Sequence, residues 1–408
     1  MQLKLKQVYN FISNFNQRQR IKPLSLIFYI NKLYMKQLYN YHILILATIL
    51  SVLSFIGCSG PNDSINDPLS DGFDRKGLLE NITNNIIIPA HVNLSEKLVA
   101  MQSSANDFSN NTNEQSLIQL RKDWLAAYRA WQYVEMFNIA KAEEIFYVSK
   151  MNIYPTNISR IEANILSNDY DLDNQANNFP AQGFPAIDYM LYGLDGDSAM
   201  VLNKYISNNG PDYKLYLNNL IQQMVNNTNL VIDFWQNNSA SFISSTENTA
   251  SSSFNMLIND YIYYYEKGLR ANKIGIPAGR FSSTPLPDRV EAYYRKDVSK
   301  LLALDALDAS KRFFIGQGFN NNQNGESLKT YIEYLPGEDF LEYIIIENFE
   351  NAESHINGLS NSFINQIETD NLQMLYTYDA IQENVVKLKT DMLSRLNIAV
   401  DYIDADGD

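Results

Sequence analysis

The chain has 408 residues, 45% of them hydrophobic, with 32 Lys/Arg against 46 Asp/Glu and a formal net charge of −14. This acidic balance argues against a nucleic-acid partner, whose phosphates need a basic footprint, and against a purely electrostatic hold on anionic lipid. A single cysteine rules out an intramolecular disulfide, so packing must stabilise a chain long enough for two domains or one large one.

Residues 1–34 hold Lys and Arg but no acid, and Met35-Lys36-Gln37 is the better start for a signal peptide. The segment reads as an upstream over-extension, with an unusually long n-region as the alternative. Residues 35–57 read as a lipoprotein signal peptide. After Lys36 comes an apolar core, Ile43 to Ile56, which at 14 residues is short for a bilayer-spanning helix and suited to an h-region. Phe55-Ile56-Gly57-Cys58 is similar to a bacterial lipobox, with Phe55 where leucine is usual. Cys58 is therefore the expected lipidation site, and its acyl chains the expected membrane partner. The competing reading is a buried free cysteine after a transmembrane helix. Residues 1–57 contain seven Lys/Arg and no Asp/Glu, so the chain beyond them sets 25 basic against 46 acidic residues, a net of −21. Residues 58–73 carry the cysteine and a tether rich in Ser, Gly, Asn, Asp and Pro, reaching roughly 20 Å as a flexible coil. The expected location is the cell envelope, at the outer membrane, with the leaflet left open.

Beyond the tether the pattern is helical almost throughout. Leu117, Leu120, Trp124, Tyr128, Trp131, Val134 and Phe137 recur every three or four positions, one face of a long helix. Similar spacing predicts helices at about 76–104, 211–237, 250–269, 288–314, 338–369 and 371–396. Pro89 is expected to kink the first. Proline and glycine mark breaks at 155, 180–185, 275–287 and 316–325. No run alternates with period two convincingly; the tyrosines at 261 and 263–265 have helical flanks. The expected fold is all-α, an N-terminal bundle over 74–240 and a C-terminal bundle over 241–408, with a site at their interface.

Zinc helices, CxxC pairs, phosphate-cradling loops and nucleophile elbows are absent from the sequence. His91 and His355 read as core or surface histidines. The acidic end (Asp401, Asp404, Asp406, Asp408) has the spacing of part of a calcium loop but stops before the required glutamate, and reads as a solvated tail, as does Asp195-Gly196-Asp197. Trp124 and Trp131 read as core. The stretch Gly183-Phe184-Pro185-Ala186-Ile187-Asp188-Tyr189 reads as a loop-breaking glycine, a proline in a first helical turn and an acid near the helix N-terminus.

This stretch resembles the GxHxxE region of the imelysin-like proteins. Trp124, Trp131 and Glu135, then Ile153-Tyr154-Pro155, then Lys273 to Pro277 followed by Pro287-Asp288-Arg289-Val290-Glu291-Ala292-Tyr293, and the ending from Leu388, resemble further family segments in the right order over roughly residues 76–408. The resemblance implies a two-bundle helical fold with the motif between the bundles, a bacterial envelope location, often lipid-anchored, and a link to iron uptake. Some members carry a metallopeptidase label. Here the motif histidine is Pro185 and its glutamate Asp188. Proline offers no lone pair and no proton, so the expectation is binding without catalysis, with no metal and no cofactor. Gly183, Phe184, Pro185, Asp188 and Tyr189 are the candidate binding positions, and Arg289 and Glu291 the candidate cleft residues from the second half. The partner would be iron-uptake machinery or an unknown small ligand. A metal-dependent hydrolase using Asp188, and an envelope scaffold without a ligand site, are the rival readings.

Overall fold

Helix signals in the sequence translate directly into structure. The computed structural model describes residues 71–402, apart from 196, 322 and 338. Cys58 and the acidic residues Asp404, Asp406 and Asp408 lie outside the described residues. The first helix begins at α1, Arg75–Asn81, where the Asp74 carboxylate accepts from Gly77 N–H. It runs through a π-helical stretch, Ile82–Ile87, into α2, Ile88–Asn110. Pro89 thus stands just after the wider π turn. That turn absorbs a residue that cannot donate in an α ladder, so the break expected at Pro89 takes this form.

α3, Glu114–Trp131, starts with a capping box between Asn113 and Ser116. It packs on α2, and α2 packs in turn on the 35-residue helix α9, Gly210–Ser244. Between α3 and α9 lie the short helices α4, Lys141–Glu144, α5, Tyr147–Met151, α6, Ile158–Ser167, α7, Gly183–Asp188, and α8, Ser198–Ile206. Asp197 caps α8 by accepting from Met200 N–H at 2.9 Å, the structural role of an acid placed before a helix.

The second half holds α10, Ser253–Tyr263, which widens into a long π-helical segment, Tyr264–Gly275, before the single turn α11, Ile276–Ala278. Then come α12, Ser299–Ile315, α13, Leu328–Tyr334, α14, Leu341–Gly358, and α15, Phe363–Val386. The chain continues through a π stretch, Lys387–Met392, to α16, Leu393–Leu396. The tyrosines at 261–265 are helical. Over residues 288–298, expected in a helix, a single 3₁₀ turn, Pro287–Arg289, leads into an irregular loop whose Ala292 and Lys296 have φ of +56° and +67°. The long repeat expected over 338–369 breaks after Gly358, and Asp370 has non-helical φ/ψ inside α15. Among the described residues, β structure amounts to one isolated bridge, Gln317 to Asn324.

The fold is all-α, as expected. Leu69–Asp408 constitute one contact unit, and α9 continues across residue 240 to Ser244. One hydrophobic core runs through both halves, with Trp124, Trp131 and Trp235 at 0–1% exposure. The halves are tied by Arg129, whose guanidinium donates to both oxygens of Asp305 at 2.7 and 3.0 Å. No helix among the described residues is long and apolar enough to cross a membrane.

Candidate functional site

Gly183 opens α7 in a backbone conformation that only glycine fits. Its φ is +73°, and a Cβ there would stand 2.1 Å from the Met151 carbonyl oxygen and 2.5 Å from its carbon. Phe184 is fully buried. Its ring stacks on Tyr128 at 4.5 Å and 3°, and its carbonyl accepts from Trp124 Nε1–H at 3.3 Å. Pro185 falls in the first turn of α7, where its missing N–H leaves no helical bond unmade.

Asp188, at the end of α7, is 1% exposed. Its Oδ2 accepts from Tyr294 N–H at 2.8 Å and its Oδ1 from Arg295 N–H at 3.0 Å. The two donors lie between Ala292 and Lys296, the loop residues held in the left-handed region, where each non-glycine residue costs about 1–3 kcal/mol. The aspartate therefore staples a strained loop from the second half onto the motif helix. Burial pushes its pKa up to about 7, while the two backbone N–H groups and the Arg295 charge oppose that rise. Tyr189 donates to Glu162 Oε1 at 2.7 Å, and Tyr213 donates to Oε2 at 2.6 Å.

Tyr128 connects the motif to a second buried cluster. Its hydroxyl donates to Asn152 Oδ1 at 2.6 Å, and Asn152 Nδ2 donates to Glu135 Oε1 at 2.7 Å and Glu291 Oε1 at 2.9 Å. Lys273 Nζ sits 2.7 Å from Glu291 Oε2 and 3.4 Å from Glu135 Oε2. Gln132 Nε2 also donates to Glu291, at 3.2 Å, and Tyr264 hydroxyl to Glu135, at 3.3 Å. Burial acts to lower the Lys273 pKa, but the two carboxylates outweigh it and the net shift is upward. Burial, reinforced by those carboxylates, holds the Tyr128 and Tyr264 hydroxyls well above the usual phenol range. Two carboxylates thus share one ammonium in the core. Gln182, just before the motif, has both side-chain amide atoms buried without a hydrogen-bond partner.

The donor set does not suit a metal. Pro185 supplies no ligand atom. Both oxygens of Asp188, and those of Glu135 and Glu291, already receive N–H, ammonium or phenol donors, and an ammonium sits where a cation would bind. His91 is buried in α2 with Nδ1 2.8 Å from the Ile87 carbonyl oxygen, and burial drives its pKa down to about 4. His355 is in the last turn of α14. Among the described residues no group of three His, Cys, Asp or Glu side chains is placed to hold a metal ion.

The structure brings Gly183, Phe184, Pro185, Asp188 and Tyr189 together with Glu291. Arg289 is not in that group: it is exposed and pairs with Asp288 at 3.4 Å. Sequence reasoning passed over Lys273, Gln132, Asn152 and Tyr264. A signal for Lys273 was present, since it stands directly before the uncharged run Ile274 to Ala278, where an unpaired lysine would be costly.

No curated protein matches the chain. A solved structure from Parabacteroides distasonis ATCC 8503, described as an iron-regulated protein A precursor, superposes with a TM-score of 0.66 at 16% identity, covering 82% of this chain and 98% of that one. An imelysin-like protein from Psychrobacter arcticum 273-4 superposes with a TM-score of 0.60 at 16% identity, covering 80% and 97%. At that identity these likenesses concern the fold. The profile of the Imelysin family matches residues 87–389, most of the chain, so the chain belongs to the imelysin family.

Proposed function

We propose that this chain is a lipid-anchored bacterial envelope protein that binds a ligand or partner in iron acquisition and does not catalyse. One observation carries the non-catalytic half: every carboxylate at the motif is committed to the protein's own donors, and proline stands at the histidine position. Such an arrangement has no free general base and no ligand set for a hydrolytic metal. The lipid anchor rests on Cys58, and the iron link on the description of the Parabacteroides structure.

The test combines elemental analysis of purified protein with peptide hydrolysis in chelator and in added zinc. The expected result is no stoichiometric metal and no cleavage. Cleavage abolished by chelator and restored by zinc would overturn the reading. For the physiological half, a deletion strain should grow less well under iron limitation; unchanged growth together with iron-independent expression would remove it.

A further inference from the structure

We infer that the exposed aromatic residues around the α13–α14 turn, Tyr334, Phe340 and Tyr343, form a surface that rests in the headgroup region of a lipid bilayer. Their exposures are 54%, 66% and 56%, high for large rings. Phe340 sits at φ +53°, a left-handed conformation that is costly for an aromatic residue, and its ring is not buried to offset the cost. It lies 6.4 Å from the Tyr343 ring.

The second observation is where the chain comes in. Phe73 stacks on Tyr331 of α13 at 4.0 Å and 6°, and lies 5.6 Å from Tyr334. Tyr334 hydroxyl donates to the Asp71 carbonyl at 3.2 Å, and Arg75 Nε and Nη2 donate to Tyr331 hydroxyl at 2.9 and 2.8 Å. The end of the tether is therefore fastened to α13 itself. Only residues 59–70 separate it from Cys58, a span of about 20 Å as a coil and about 40 Å fully extended. Given the anchoring at Cys58 proposed above, on which this inference rests, the aromatic turn is confined within reach of the headgroups. Weak partitioning is then enough, because tethering raises the effective lipid concentration. Tyrosine and phenylalanine suit that region. Basic charge does not make the contact: Lys329, 5.9 Å from the Tyr343 ring, pairs with Glu333, Arg395 pairs with Asp339, and the sequence of the turn adds two further acids, Glu338 and Glu342. The contact is thus apolar and insensitive to salt.

The test uses the full chain purified from bacterial membranes and reconstituted in phosphatidylcholine–phosphatidylethanolamine vesicles with brominated acyl chains. The three native tryptophans are buried, so Tyr343→Trp adds an exposed reporter, and Leu166→Trp, at a site 82% exposed and outside the patch, is the control. The expected result is flotation with the vesicles, with the Tyr343→Trp signal quenched, the Leu166→Trp signal unaffected, and neither altered by salt. In the Cys58→Ser chain, Phe340→Asn with Tyr343→Gln should weaken vesicle partitioning about tenfold; asparagine tolerates the left-handed backbone at 340, so the fold is kept. A floating chain with an unquenched or salt-dependent Tyr343→Trp signal overturns the docking while the anchor stands. A chain that does not float overturns the anchor and the docking with it. A Tyr343→Trp signal that changes with protein concentration in the absence of vesicles overturns the docking in favour of a second copy.

Discussion

Replacing Lys273 with methionine removes the ammonium that Glu135 and Glu291 share in their buried cluster. Its Nζ contacts at 2.7 and 3.4 Å correspond to roughly 6 and 5 kcal/mol of attraction at an effective dielectric of about 20. Desolvation of each ion, several kcal/mol, offsets most of that. The intact cluster is therefore near neutral in net stability, but breaking it is not: Glu135 and Glu291 would face each other with only amide and phenol donors. The expected loss for Lys273→Met is about 3–5 kcal/mol at pH 8. The folded pKa of Lys273 lies above the ordinary lysine value, so its contribution is complete below that ordinary value and is lost only as pH climbs through the folded one; at pH 8 the substitution removes all of it. Adding Glu291→Gln returns the cluster to its native charge balance, one carboxylate in excess, and should recover at least half of the loss. Urea unfolding at pH 8 reads both variants. A loss below about 1 kcal/mol for Lys273→Met, or no recovery on adding Glu291→Gln, would refute the reasoning.

Gly183→Ala should cost about 3 kcal/mol or more, because about 1–2 kcal/mol of left-handed strain adds to a contact with rigid Met151 backbone; thermal and urea unfolding check it, and a loss under about 1 kcal/mol would show that the motif entrance yields. Asp188→Asn removes an ionisation whose folded pKa, about 7, lies above the ordinary aspartate value of 3.8. The native aspartate is best tolerated below pH 4 and costs stability as pH rises through 7, so the stability of Asp188→Asn relative to native should improve between pH 5 and pH 8. A pH-independent difference in urea unfolding would refute the assigned burial cost.

Periodicity made the long helices legible because each lays a wide apolar stripe on one core: α3, α9 and the run from Ser253 to Gly275 stand close to where their sequence patterns fall. It failed at 288–298, where the consecutive residues Val290, Glu291 and Ala292 are all buried in a loop held by long-range bonds to Asp188. Local pattern cannot report a partner 106 residues away. The same limit hid the core cluster, since Gln132 and Glu135 meet Lys273 and Glu291 only after both halves fold. Gly183 was readable, because glycine is the ordinary answer to a positive φ. Arg289 and Glu291 are two residues apart and read alike in sequence, yet the loop puts one in solvent and the other in the core.

Pro185 and Asp188 make sense together rather than one by one. Pro185 stiffens the first turn of α7 behind a glycine wedged against Met151, which fixes where the helix starts and so where its sixth residue, Asp188, arrives. The carboxylate at that point bridges two successive backbone N–H groups at 2.8 and 3.0 Å, a reach that an aspartate satisfies and that one more methylene would overshoot unless the loop moved. The loop has little freedom to move: it is bracketed by Ala292 and Lys296 in left-handed conformations, and Glu291 at its start is pinned by Lys273, Asn152 and Gln132. A rigid helix start, a short acid and a strained loop are thus one mechanical unit joining the two halves. A hydrolytic site needs a side chain with a free lone pair and room for water at this position. This unit uses the same position for cohesion, so any recognition here must act through groups other than these carboxylates.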